Sequence, residues 1–185
     1  MKSKSNSVTL TPNDITCFEQ TLTSTKITKL KLSPSLSITE LKKSHWRYLK
    51  TEFQIKKIDF SDHDIERIPK SIFQFRHLTV LNLEGNMIEG VPRRICKMRM
   101  LRYLNLRRFG VFWFEGDCFR NRIMCLPEEI GELEELVEVD VSYTNVVGLP
   151  LSLGESGVQK IGVKGNLMVS PPVNVCVKGM SGFWG

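Results

Sequence analysis

No stretch of this chain approaches the roughly 20 consecutive apolar residues that a membrane-spanning helix needs. The opening residues, Met1 to Asn13, are Lys, Ser and Thr with scattered apolar side chains, and they offer no apolar core for a secretory signal. The expectation is a soluble protein inside the cell, cytoplasmic with the nucleus as a further option. Paired cysteines are also missing. Cys17, Cys96, Cys118, Cys125 and Cys176 are odd in number, widely scattered and without a CxxC pair, which argues against a disulfide framework and against a zinc site. Reduced thiols are expected. A Gly-rich phosphate loop, GxSxG and HExxH are all absent, and His45, His63 and His77 have no nearby Cys or Ser in a nucleophile motif. Glu128 and Glu129, adjacent at a helix start, suit the helix dipole better than acid-base chemistry. No catalytic residue, metal or cofactor is therefore expected, and the chain reads as a non-enzyme.

What the chain does have is ordinary globular composition, 41% apolar and 25% charged in 185 residues, which fits one folded body. Its net charge of +6 is unevenly placed. Residues 1–57 hold 11 Lys or Arg against 4 Asp or Glu, and the remainder holds 15 against 16. Lys26, Lys29, Lys31, Lys42, Lys43, Arg47 and Lys50 form a basic patch able to attract phosphates or anionic lipid heads. A solvated cap on an exposed end accounts for the same lysines.

One pattern organises the chain: LxxLxLxxN, then xI, then xxLP, then xxI. Leu78, Leu81, Leu83, Asn86, Ile88, Val91, Pro92, Ile95 and Met98 fill it. A copy 23 residues earlier runs Ile55, Ile58, Phe60, His63, Ile65, Ile68, Pro69, Ile72 and Phe75. The next copy starts at Leu101, Leu104 and Leu106, breaks, and resumes at Asn121, Ile123, Leu126, Pro127, Ile130 and Leu133. Two more follow, from Leu136 to Leu153 and from Val158 to Pro172. Upstream, Ile27, Leu30 and Leu32 repeat the core alone. Within LxLxx the apolar residues alternate with period two, so each copy supplies one short strand with Leu81 and Leu83, or their equivalents, turned inward. Asn86, Asn121 and Asn166 are placed to form a ladder that satisfies backbone groups after each strand, with His63 and Thr144 in the same slot. The prolines open a short outer helical turn. Stacked copies bury one continuous core, which single copies cannot do.

These residues resemble the intracellular leucine-rich-repeat proteins of the 23-residue LP type, the group that includes Scribble and Erbin relatives and the plant Ras-group-related proteins. The resemblance covers Lys26 to Gly179. Its most specific piece is GNLMVSPPVNVCVKG, residues 165–179, which resembles the GNPLxxPPxxVCxxG ending of the last repeat in that group, with Leu167 where those proteins have Pro. There the group continues into an amphipathic helix, whereas this chain ends in MSGFWG, so an abbreviated C-terminal cap is expected. The resemblance implies a non-enzymatic scaffold or adaptor, often within signalling or ubiquitin-ligase assemblies.

The expected architecture is an α/β leucine-rich-repeat solenoid, with a curved parallel sheet on the concave side and short helical or 3₁₀ segments on the convex side. Residues 1–25 read as a polar, flexible segment and 26–54 as a basic cap or degenerate repeat. Residues 55–169 are the repeats, and 170–185 the abbreviated cap. Outward strand positions form the concave surface: Lys57, Asp59 and Ser61; Val80, Asn82 and Glu84; Tyr103, Asn105, Arg107 and Arg108; Glu138, Asp140, Ser142 and Tyr143; Lys160 and Lys164. Tyr and Arg are enriched at energetic centres of interfaces. The candidate contacts are accordingly Tyr103, Asn105, Arg107, Arg108, Asp140, Tyr143 and Glu84.

Removing residues 109–120 (FGVFWFEGDCFR) restores the 23-residue period, so these twelve form an insertion at the rim of the concave face. Three readings stand for it. Its aromatics, with Trp113 and Phe114 as candidate contacts, grip a partner, cover a hydrophobic flank, or carry no evolved role. For the whole chain the leading function is a protein-binding scaffold on the concave sheet, in intracellular signalling. The alternatives are a substrate-recognition subunit of a ubiquitin ligase, and a binder of nucleic acid or acidic membrane through the basic N-terminal end.

Overall fold

The computed structural model describes residues 6–16, 22, 27–107, 121–166 and 168–169. Among these residues seven strands form a single sheet in sequential order: β1 (Ser7–Leu10), β2 (Lys29–Leu32), β3 (Lys57–Asp59), β4 (Val80–Asn82), β5 (Tyr103–Asn105), β6 (Glu138–Asp140) and β7 (Lys160–Gly162). Every pairing is parallel. A parallel neighbour requires a crossover between strands, and here each crossover is one coil of a solenoid. The chain is thus an α/β leucine-rich-repeat solenoid.

The register follows the apolar alternation. Leu30, Ile58, Leu81, Leu104, Val139 and Ile161 stand opposite one another along the sheet, and all are buried. They join Phe60, Leu83, Leu106, Val141 and the outer-turn residues Ile72, Ile95, Ile130 and Leu153 in one apolar core. The outer turns are 3₁₀ segments at Ile72–Gln74, Arg93–Lys97 and Glu128–Glu132, followed by a short helix, α3 (Ser152–Glu155). Pro92 and Pro127 precede two of these turns in extended conformation, φ −73° and −71°, the conformation proline favours.

The N-terminal end differs from the flexible segment expected for residues 1–25. Ser7–Leu10 is a strand paired with Lys29–Leu32, and Leu10 is buried. Val8 and Leu10 alternate with Ser7 and Thr9, but Leu10 faces Leu32 at an interval of 22 residues and Lys31 faces Asp59 at 28. Ile27, Leu30 and Leu32 already mark β2 in the sequence, whereas the first coil has Ser5 in the Ile27 slot and so lacks the full LxxLxL core. The longer interval holds α2 (Lys43–Glu52), following α1 (Pro12–Thr16) in chain order. Trp46 and Leu49, one turn apart, bury the inner face of α2. The Trp46 ring meets Phe60 and Phe75 edge-on, with centroids 6.2 and 6.1 Å away, an arrangement aromatic quadrupoles favour.

The Asn slot works as the spacing predicts. Asn86 Oδ1 accepts from the backbone N–H of His63 (3.1 Å) and of Ile65 (3.0 Å), and its Nδ2 faces the carbonyls of Phe60, Leu83 and Glu84. Asn121 joins Ile88 N–H to the carbonyls of Leu83 and Leu106, and Asn166 joins Val146 N–H to those of Val141 and Val163. Each asparagine thus ties its own coil to the preceding one. The Thr144 hydroxyl replaces one such amide at 2.7 Å from Val141 O, and the His63 ring reaches back to Ser33 O at 3.2 Å.

Candidate functional site

The outward strand positions form three rows across the hollow face. Along the first run Ser7, Lys29, Lys57, Val80, Tyr103, Glu138 and Lys160. The second runs Thr9, Lys31, Asp59, Asn82, Asn105, Asp140 and Gly162. Two residues further along each strand come Ser61, Glu84, Arg107, Ser142 and Lys164. Tyr103, 41% exposed, stands beside half-buried Val80 and half-buried Glu138. Arg107 lies over the Tyr143 ring at 5.5 Å from its centroid, and its Nε is buried with no hydrogen-bond partner among the described residues. The face therefore gathers Tyr103, Asn105, Arg107, Glu84, Asp140 and Tyr143. Arg108, Trp113, Phe114 and the rest of the 109–120 insertion lie outside the described residues, as does the 170–185 cap. Ser142, expected at the surface, is buried at 6% exposure within the turn that follows β6.

Tyr143 is unusual in its backbone. Asp62, Gly85, Tyr143 and Gly165 each precede a ladder slot, and each has positive φ: 57°, 68°, 59° and 70°. The turn between strand and ladder is left-handed, which glycine accepts and a bulky side chain resists. Tyr143 holds that conformation while its ring lies on Gly165, where a Cβ would come within 2.3 Å of Tyr143 Cδ1. Strain of this kind persists where surrounding structure enforces it. Here it keeps the ring under Arg107.

Several candidate contacts also have a structural task that the sequence reading missed. Asp59, Asn82, Asn105 and Asp140 occupy the same strand slot, and each accepts with Oδ1 the backbone N–H two residues on: Ser61 (3.4 Å), Glu84 (3.2 Å), Arg107 (3.0 Å) and Ser142 (2.8 Å). These are Asx turns, the local bond Asp and Asn favour. The signal was present as IDF, LNL, LNL and VDV in four successive copies. Links also run between strands, from Asn82 Nδ2 to Asp59 Oδ1 (3.0 Å) and from Asn105 Nδ2 to Glu84 Oε2 (2.9 Å). Lys31 pairs with Asp59 and Lys160 with Glu138, both at 2.6 Å.

Electrostatic shifts follow these contacts. Burial works to raise the Asp59 carboxyl, but hydrogen bonds from Lys31 and Ser61, with the Lys31 charge, outweigh it and hold the group below its usual range. The hydrogen bond to Glu138, and then its charge, raise Lys160. On the convex side burial first, then Glu132 and Glu129, push the Cys96 thiol up.

The basic N-terminal patch divides between two surfaces. Lys29 and Lys31 lie on the sheet, whereas Lys42, Lys43, Arg47 and Lys50 lie on or beside α2. A convex-side groove of about 940 Å³ is lined by Lys50, Arg76, Cys96, Lys97, Arg99 and Glu132, among others. Among the described residues no cluster of three or more His, Cys, Asp or Glu is placed to hold a metal ion. Among them too, no helix is long and apolar enough to cross a membrane.

No family model matches the chain. It is similar to mouse leucine-rich repeat and calponin homology domain-containing protein 1, 34% identical over 95 residues that cover 45% of this chain and 13% of that protein. The Drosophila melanogaster protein of the same description is 28% identical over 52% of this chain and 13% of its own. Mouse DISP complex protein LRCH3 is 30% identical over 45% of this chain and 12% of its own. The chain thus spans about an eighth of these relatives' length.

Among solved structures, a leucine-rich-repeat protein of Leptospira interrogans matches with a TM-score of 0.62 and 24% identity, covering 82% of this chain and 34% of the other. A chain of the Drosophila Toll–Spatzle complex matches with a TM-score of 0.53 and 14% identity, covering 91% and 28%. Both show the fold. The chain carries a leucine-rich-repeat domain, and its relatives suggest a protein-interaction repeat.

Proposed function

We propose that this chain is a non-enzymatic recognition module that holds a protein partner on the hollow face of its sheet, as a scaffold or adaptor in intracellular signalling. The observation that carries the reading is the Tyr103, Arg107 and Tyr143 group. An exposed aromatic stands on a rigid strand, and a guanidinium is held over a second ring whose backbone is strained to keep it there. Aromatic and arginine anchors on a rigid support dominate interface energetics, because little side-chain entropy remains to be lost. The DISP complex description of one relative agrees with assembly into a multiprotein complex. The LP-type resemblance agrees with an adaptor.

The test is a photo-crosslinking residue placed in cells at Tyr103 and, separately, at Arg99 on the convex side. Partners captured from position 103 but not from 99, and lost when Arg107→Glu is combined with Tyr143→Ala, support the reading. Capture from 99 alone, or an unchanged partner set in the double variant, removes it.

A further inference from the structure

The hollow face is electrically uneven in a way that specifies its occupant. Among the described residues four strand-face carboxylates stand on it, and each is engaged. Asp59 pairs with Lys31 and accepts from Ser61, and Glu138 pairs with Lys160. Glu84 accepts from Asn105 Nδ2, and Asp140 accepts the Ser142 N–H. Lys29 and Lys57 contrast with them. They face each other in register on β2 and β3, both exposed, with Ser7 and Val80 as their row neighbours. Among the described residues no ion pair neutralises either. Like charges directly opposite on adjacent strands are destabilising, and an anion bridging them reverses that cost.

Next to this lysine pair the same row turns apolar, with Val80 and then exposed Tyr103. From the middle of the lysine pair to the middle of the Val80–Tyr103 pair is two strand spacings, about 10 Å, or about three residues of an extended chain. Resting on the protein-binding reading above, we infer that the occupant is an acidic protein segment, with Asp or Glu over Lys29 and Lys57 and an apolar or aromatic side chain about three residues away over Val80 and Tyr103. A polyphosphate chain fits less well, since its evenly spaced charges would meet the apolar pair and then Glu138, Asp140 and Glu84.

A random twelve-residue peptide library displayed on phage, panned against the full chain, tests this. The expected result is enrichment of peptides with paired acids two to four residues from an apolar side chain. Binding of the enriched peptide should weaken at least tenfold in Lys29→Glu with Lys57→Glu, and several-fold in Tyr103→Ala. Arg99→Glu on the convex side should leave it unchanged. All four positions are exposed, and retained circular dichroism and melting temperature show that each variant is folded.

Peptides without acidic bias, no enrichment, or binding indifferent to the lysine reversal overturn the inference. So does preferential binding of single-stranded DNA or phosphatidylserine vesicles that depends on Lys29 and Lys57. If partners still crosslink at Tyr103 while the lysine reversal changes nothing, the scaffold reading survives and the acidic-segment inference alone fails.

Discussion

The guanidinium of Arg107 lies 5.5 Å from the ring centre of Tyr143, and that ring in turn lies against Gly165. Three successive coils thus meet at one side chain, whose own φ of 59° is left-handed. Rigidity at the surface is obtained here from strain in the backbone beneath it.

That stack makes Gly165 sensitive. Gly165→Ala adds a Cβ to a residue at φ +70° and into the Tyr143 ring, and should destabilise the chain by about 2–4 kcal/mol in urea unfolding. Tyr143→Gly relieves its own strain but loses the contact with Arg107, two effects of about 1 kcal/mol each that nearly cancel. Adding Tyr143→Gly to Gly165→Ala should restore about half of the lost stability. A double variant no more stable than Gly165→Ala would show that the ring is not what the new Cβ meets.

Asn86 is fully buried, and its amide satisfies two N–H groups and faces three carbonyls. Asn86→Leu should cost about 3–5 kcal/mol, because several polar groups lose their partners in a dry interior. Asn105→Ala removes a half-buried side chain that accepts from Arg107 N–H and donates to Glu84, and should cost about 1 kcal/mol. Chemical denaturation of both variants measures the difference, and equal losses would remove the ladder from its structural role.

Asp59 gives the acid limb of stability a definite sign. Its folded carboxyl is held below the ordinary range, chiefly because hydrogen bonds from Lys31 and Ser61 overcome burial. The stabilisation is present above the unfolded value of about 3.9 and is lost as pH falls through the lower folded value. Melting temperature of the parent should therefore decline more steeply than that of Asp59→Asn as the solution is made strongly acidic. Parallel declines would mean that the Lys31 contact contributes nothing in solution.

Thiol reactivity separates two cysteines. Cys96 is partly buried with its thiol pushed up, first by burial and then by Glu132 and Glu129, whereas Cys125 is exposed. The thiolate is the reactive form, so iodoacetamide at neutral pH should modify Cys125 well before Cys96 in peptide mass mapping. Faster labelling of Cys96 would contradict the placement of the Arg93–Lys97 turn against Glu132.

Much of this fold was legible because one period governs it. Ile58, Leu81, Leu104 and Val139 follow from alternation and spacing, and Asn86, Asn121 and Asn166 from the ladder slot. What escaped was whatever broke the pattern or served twice. Ser7–Leu10 carries only Val8 and Leu10 of the LxxLxL core, with Ser5 where the next coil has Ile27, so it read as polar chain, and Lys29 read as part of a single basic patch. Asn105 and Asp140 were read as surface contacts because outward residues of a strand normally face solvent, although both close the turn after their own strand. The pairing of Arg107 with Tyr143 depends on geometry between coils, which spacing within a coil does not encode.

The interval from β5 to β6 is 35 residues against 23 from β4 to β5, yet Tyr103 meets Glu138 in the register that Val80 keeps with Tyr103. Asn121 rejoins the column of amides as though nothing had intervened. The seam between Arg107 and Asn121 therefore admits extra chain without disturbing its neighbours. It is the natural port at which a reporter domain or an epitope tag could be spliced in.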